Sequence, residues 1–147
     1  MPYFTYDTSV IVSRKLSLHE TPRNFVMSAV VMMELMSSAA DSSRRKSYER
    51  FFRQFQEDNL LIVPTVNDWL LAAKIMFLLT QDRRREGRGK LKRLPAGASQ
   101  RLALDVLIAV SARRWKAQVV TENWADFKAI QRYCNTTVIK AAQFFRR

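Results

Sequence analysis

The chain has one cysteine, one histidine and three glycines in 147 residues. Each scarcity removes a class of chemistry. Cys134 alone cannot form a disulfide within the chain, which fits a reducing cytosol. It reads as a small core residue. His19 stands beside Glu20 in the loop-like LSLHETPRN and reads as a surface residue. Without a second histidine or a placed Cys–His pair no nucleophilic triad is possible. Without CxxC or HExxH zinc is disfavoured. Gly87, Gly89 and Gly97 all fall in one stretch, so there is no Walker or GxGxxG phosphate loop. No apolar run approaches the roughly 18 residues of a membrane span. The opening MPYFTYD carries no basic, signal-like start. A soluble cytoplasmic protein with no membrane association is the expectation.

Acids are scarce as well: 13 Asp and Glu against 25 Lys and Arg, for a net charge of +12. That surplus favours a polyanionic partner such as nucleic acid, an acidic protein or a membrane surface. The 48% hydrophobic and 26% charged content is that of an ordinary globular protein. Residues 1–147 read as a single domain, long enough for a full core.

What is present is an alternation. Apolar strands are predicted at 3–6, 24–27, 60–63, 118–121 and 136–139. Helices are predicted from near Val10, from Ser28 through Leu35, over 44–57, from 65–67 through Leu79, and over 99–115, 123–133 and 140–145. Strands without a polar face, alternating with helices, argue an α/β fold around a parallel sheet. In the 44–57 helix, Tyr48, Phe51, Phe52 and Phe55 recur at helical spacing. They read as core packing, with part of that helix available as a groove for a partner helix. Trp69 and Trp115 read as core or dimer-interface residues, and Trp124 as a residue at the rim of a site. RRREGRGKLKRLPAG at 83–97 reads as the one flexible connection. It carries Arg83, Arg84, Arg85, Arg88, Lys90, Lys92 and Arg93 against Glu86 alone.

Four acids interrupt or adjoin apolar runs: Asp7 in YFTYDTSVIV, Glu34 in VVMMEL, Asp105 in LALDVLIAV and Asp126 in WADF. They read as partly buried, and a buried carboxylate is costly unless paired, hydrogen-bonded or bound to metal. Each has an ordinary explanation. Asp7 suits a helix N-cap, Asp105 an i−4 pair with Arg101, and Asp126 the first turn of a helix capped by Asn123. Together they fall along one edge of the sheet, outside the carboxyl ends of strands, where α/β folds bind ligands. Clustered carboxylates repel, so at least one should titrate high without a cation. Mg²⁺ or Mn²⁺ takes such hard oxygens, and one or two such ions serve phosphodiester hydrolysis. A response-regulator-like acid site would need more acids near strand one, where only Asp7 stands.

At these residues the chain resembles the PIN-domain ribonucleases, most closely the VapC-type toxins of type II toxin–antitoxin pairs. The matching blocks are YDTSVIV at 6–12, SAVVMMEL at 28–35, LDVLIAVSA at 104–112 and VVTENWADF at 119–127. The resemblance implies a three-layer α/β/α fold with a central parallel five-stranded sheet of order 3-2-1-4-5. It implies that Asp7, Glu34, Asp105 and Asp126 are the catalytic acids that bind Mg²⁺ or Mn²⁺. It implies that Thr8, Ser9, Thr121 and Asn123 orient those carboxylates. It further implies endoribonuclease activity on structured RNA, a homodimer, and inhibition by a cognate antitoxin. Arg83–Arg85, Arg88, Lys90, Lys92 and Arg93 are the residues expected to meet RNA or an acidic antitoxin segment. Glu122 departs from the family pattern, which commonly has a basic residue there. The rival reading is a non-catalytic RNA- or protein-binding module of the same fold, its acids serving as structural ion pairs.

Overall fold

The computed structural model describes residues 2–86 and 97–146. In chain order the elements are β1 (Phe4–Tyr6), α1 (Thr8–Ser13), β2 (Met27–Ser28), α2 (Ala29–Ser37), α3 (Ser42–Glu57) and β3 (Leu61–Ile62). They continue as α4 (Val66–Glu86), α5 (Ala98–Arg114), β4 (Gln118–Thr121), α6 (Trp124–Gln131), β5 (Val138–Lys140) and α7 (Ala141–Phe144). The predicted alternation is reproduced element by element.

Local chemistry sets the helix starts. Asp7 caps α1 by accepting from the Val10 amide at 3.1 Å. Asp41 caps α3 through the Arg44 amide at 2.8 Å. Thr65 and Asp68 form a reciprocal capping box at the head of α4, with each backbone amide donating to the other's side chain (2.9 and 3.2 Å). Asp68 is a buried acid that the sequence did not single out. Arg114 Nε donates to it at 3.1 Å, so its role is structural. Gly97 takes φ +79 immediately before α5, a left-handed conformation that favours glycine.

The strands are parallel throughout but form two sheets rather than one. β4 lies between β1 and β5, with Tyr6 opposite Val120 and Thr121 opposite Lys140. β2 pairs with β3 separately. The expected five-stranded sheet is therefore seen as a three-stranded and a two-stranded sheet. Between them lie a single bridge, Phe4–Phe25, and hydrogen bonds from Phe4 N to Asn24 O (3.0 Å) and Val26 N to Phe4 O (2.9 Å). The junction stays this short because the chain before β2 turns, with the Phe25 amide donating to Pro22 O at 3.0 Å.

α5 is the central helix. Every residue from Val106 to Ala112 is buried, so this segment is enclosed on all sides. It contacts β2, β4, α2, α4 and α6. Asp105 sits just before that buried run. Phe55, Cys134 and Phe127 are buried in the core, and Tyr48, Phe51, Phe52 and Trp115 pack partly buried against it. His19 is exposed, its ring edge-on to Phe51. No helix among the described residues is long and apolar enough to cross a membrane.

Candidate functional site

One cavity of about 570 Å³ is lined by Asp7, Glu34, Asp105 and Asp126 together with Thr8, Ser9 and Asn123. The fold thus gathers four acids from four separate chain segments. β1 ends at Asp7, beside β4. The α2 cap at Ser28 starts the helix that presents Glu34. α5 brings Asp105 to the edge of its buried run, and Asp126 lies in the first turn of α6.

Their environments differ. Asp7 is only 2% exposed. Its Oδ1 accepts from Ser9 Oγ at 2.6 Å and from the Val10 amide, and its Oδ2 accepts from Thr121 Oγ1 at 2.5 Å. The N-cap reading of Asp7 is correct, but it uses one oxygen only. Thr8 Oγ1 donates to Glu34 Oε1 at 2.9 Å, so α1 orients an acid on α2. Asn123 Nδ2 donates to Asp105 Oδ2 at 3.1 Å and to Asp126 Oδ2 at 2.9 Å. One amide nitrogen therefore holds two carboxylates from different helices. Thr121 Oγ1 in turn accepts the Asn123 amide at 2.7 Å, which links both halves of the network.

Asp126 does lie in the first turn of α6, as expected, but three other expectations are not met. Asn123 does not cap α6 with its side chain, because that group is committed to the two acids. Asp105 makes no ion pair with Arg101 among the described residues; Arg101 is exposed and lines the acid pocket instead. Asp126 is exposed rather than partly buried, because the inward position of that turn belongs to Phe127.

The electrostatics follow from burial and crowding. Desolvation pushes the Asp7 carboxyl up, against the hydrogen bonds from Ser9, Thr121 and Val10. Desolvation also raises Glu34, opposed by Thr8 and helped by the charge of Asp7. Asp105 is pushed up to about 7, first by desolvation and then by the charges of Asp7, Glu34 and Asp126. Basic compensation inside the cavity is sparse. Arg14 instead pairs with Glu122 at 2.8 Å on the surface, and its guanidinium lies 4.6 Å from the Phe145 ring centroid.

Among the described residues, no three His, Cys, Asp or Glu side chains close into a ready-made coordination cluster. The acids line the walls of an open cavity. That suits Mg²⁺ or Mn²⁺, which keeps several waters and uses one or two carboxylates plus substrate phosphate rather than a protein cage. The donor set is all hard oxygen, with no imidazole or thiolate, which disfavours zinc.

The basic residues divide. Arg83, Arg84 and Arg85 belong to the last turn of α4, where cations complement the helix dipole. Residues 83–86, expected to belong to a flexible connection, are helical instead; residues 87–96 of that stretch lie outside the described residues. Arg88, Lys90, Lys92 and Arg93 lie outside the described residues. Trp124 is not part of the acid cavity's lining. Its ring is flanked by Lys128 and Lys140 at 5.2 and 5.1 Å from the centroid.

The fold and the pocket together define an acid-lined parallel α/β domain. Solved structures then give the fold its type. A chain of VapBC-1 from nontypeable Haemophilus influenzae aligns with a TM-score of 0.59 at 17% identity, covering 95% of this chain and 98% of that one. A chain of VapBC-5 from Mycobacterium tuberculosis, described as a member of the VapBC family of toxin–antitoxin systems, gives 0.52 at 20% identity (95% and 99% covered). A chain of DNA-bound VapBC from Salmonella typhimurium gives 0.52 at 18% identity (96% and 99%). The chain thus has the PIN-like fold of VapC-type toxins, over nearly its whole length. No protein-family model and no curated protein matches it.

Proposed function

We propose that this chain is the toxin of a toxin–antitoxin pair, a Mg²⁺- or Mn²⁺-dependent endoribonuclease that hydrolyses phosphodiester bonds of structured cellular RNA. The observation that carries this reading is the convergence of Asp7, Glu34, Asp105 and Asp126 on one cavity, ordered by Thr8, Ser9, Thr121 and Asn123. A structural ion-pair role needs cations beside the acids, and none pairs with these four among the described residues. That observation weighs against the rival binding-module reading.

The divalent ion, when bound, supplies charge neutralisation and Lewis acidity at the phosphodiester. Asp7, fixed by three hydrogen bonds, would be its most rigid ligand. Glu34 and Asp105 would complete the inner wall, and Asp126 the solvent side. Asn123 holds Asp105 and Asp126 in a fixed relation, and the ion's charge would bring Asp105 to its ionised form. Arg101 stands in the same cavity as the positive group closest in chain to Asp105, suited to a substrate phosphate oxygen. Arg83–Arg85 and the basic residues that follow would meet the RNA backbone. Titration calorimetry with Mn²⁺ tests the ion directly. Binding is expected for the native protein and its loss for Asp7→Asn; no heat with the native protein would favour the binding module.

Two partners belong to the same reading. A groove of about 570 Å³ runs between α1, α2 and α3, floored by Ile11, Leu16 and Leu35 and edged by Lys15 and Arg44. An antitoxin helix with an acidic flank would fit it. A second copy would cover the outer face of α4. There Val66, Trp69, Leu70 and Phe77 follow helical spacing and are 77%, 57%, 66% and 61% exposed. The double substitution Trp69→Asp with Leu70→Asp is expected to convert a dimer to a monomer in light scattering. A native protein that is monomeric at high micromolar concentration would remove the dimer from the reading.

A further inference from the structure

A second cavity, of about 300 Å³, adjoins the acid pocket and shares Asp126 and Ala98 with it. It lies between the end of α4, the start of α5 and α6. Leu79, Leu102 and Ala129 form an apolar floor. Asp82, Arg83, Glu86 and Arg132 supply both signs of charge. Asp82 is held in place: Tyr133 Oη donates to its Oδ2 at 2.5 Å, and Arg132 Nη1 lies 3.6 Å from the same oxygen. The Asp82 side chain is 18% exposed while that of Arg132 is 58% exposed, so a fixed acceptor faces a movable donor.

Resting on the nuclease reading, we propose that this cavity is a base-recognition subsite that takes a guanine of the RNA next to the scissile phosphate. Its volume is at the small end for ligand pockets, the size class of one base rather than of a peptide or a duplex. The apolar floor suits a flat aromatic ring that must leave its stack to be read. The polar groups select the base. A carboxylate accepts from two adjacent donors, and guanine offers N1–H and N2–H₂ on one edge. A guanidinium donates to two adjacent acceptors, and guanine offers O6 and N7. Adenine and cytosine offer part of that pattern; uracil has a single donor between acceptors. Asp126 belongs to both cavities, so a base seated here places its own phosphate beside the acids.

The test is binding of single-stranded RNA pentamers with a central guanosine, inosine or adenosine, to the native protein in EDTA. Inosine lacks only the N2 amine, so guanosine is expected to bind about fivefold tighter than inosine, and more tightly still than adenosine. Asp82→Asn is expected to abolish the guanosine preference. Tyr133→Phe, which keeps the carboxylate and removes only its internal donor, is expected to retain it. Equal binding of the three pentamers by the native protein would overturn the subsite, as would an unchanged preference in Asp82→Asn. Loss of the preference in both variants would overturn Asp82 as the reading group and assign it to structure. The metal is absent throughout, so a failed nuclease reading shows separately, as an absence of Mn²⁺-dependent cleavage.

Discussion

Asp7→Asn is expected to reduce RNA cleavage by at least about a thousandfold, while RNA affinity stays within about twofold. A divalent ion contributes several kcal/mol of transition-state stabilisation, and about 1.4 kcal/mol is a factor of ten in rate. Asp7 is the most buried of the four acids and the one with the most hydrogen bonds, so its charge is aimed before any ion arrives. Asparagine keeps an oxygen for Ser9 and for the Val10 amide, so the α1 cap survives. The charge is removed and the second oxygen becomes an amide donor, toward which the Thr121 hydroxyl turns as acceptor; the α4 arginines are not among the residues that line the acid cavity. Single-turnover cleavage of total RNA with Mn²⁺, beside filter binding in EDTA, reads the two quantities. Cleavage undiminished by the substitution, or undiminished by EDTA in the native protein, would refute the metal-dependent nuclease.

Asp105→Asn is expected to stabilise the metal-free protein, and increasingly so as pH rises. The sign follows from the direction of the shift. An aspartate near 3.8 in the unfolded chain and about 7 in the folded protein binds its proton more tightly when folded. Relative stability from this group is therefore complete below about pH 4 and is lost as pH rises through about 7. Asp7 and Glu34 are shifted in the same direction. An asparagine at 105 stays neutral and still accepts from Asn123. The difference in melting temperature between Asp105→Asn and the native protein should widen from pH 5 to pH 8. Saturating Mn²⁺ should raise the native protein's melting temperature most at pH 8, since the ion binds the ionised form. Below pH 7 its apparent affinity should fall about tenfold per pH unit, as one proton competes. Parallel melting curves across that range would show that Asp105 does not carry the strain. Both substitutions remove a carboxylate charge that burial, and then the neighbouring acids, disfavour until a counter-ion is present.

Much of this was legible in the sequence, and the reason lies in local chemistry. Element types followed from periodicity and from caps written in a few residues: Asp7 before α1, Ser28 before α2, Asp41 before α3. The acids stood out because charge inside an apolar run is costly wherever it lies. Other features were not legible because they depend on who lies opposite. Asn123 had the sequence of a cap, yet its amide bridges acids contributed by α5 and α6. Arg101 had the spacing of an ion pair, yet it faces a cavity. Asp82 lies about fifty residues before the adjacent Arg132 and Tyr133 and shares no motif with them, so their cluster had no sequence signal.

The sequence by itself determined the alternation of strands and helices, the surplus of positive charge, the absence of thiol, imidazole and Gly-rich-loop chemistry, and the identity of four acids. Only the tertiary structure decided that these acids share one cavity, that Asp126 is its exposed member, and that the strands divide into two sheets. It also placed a second cavity beside the first. Caps, periodicity and composition act over a few residues and can be read in one dimension. The shifted acidity of Asp105 and the cavity walls arise from groups brought together across the chain, whose energies depend on distance and burial.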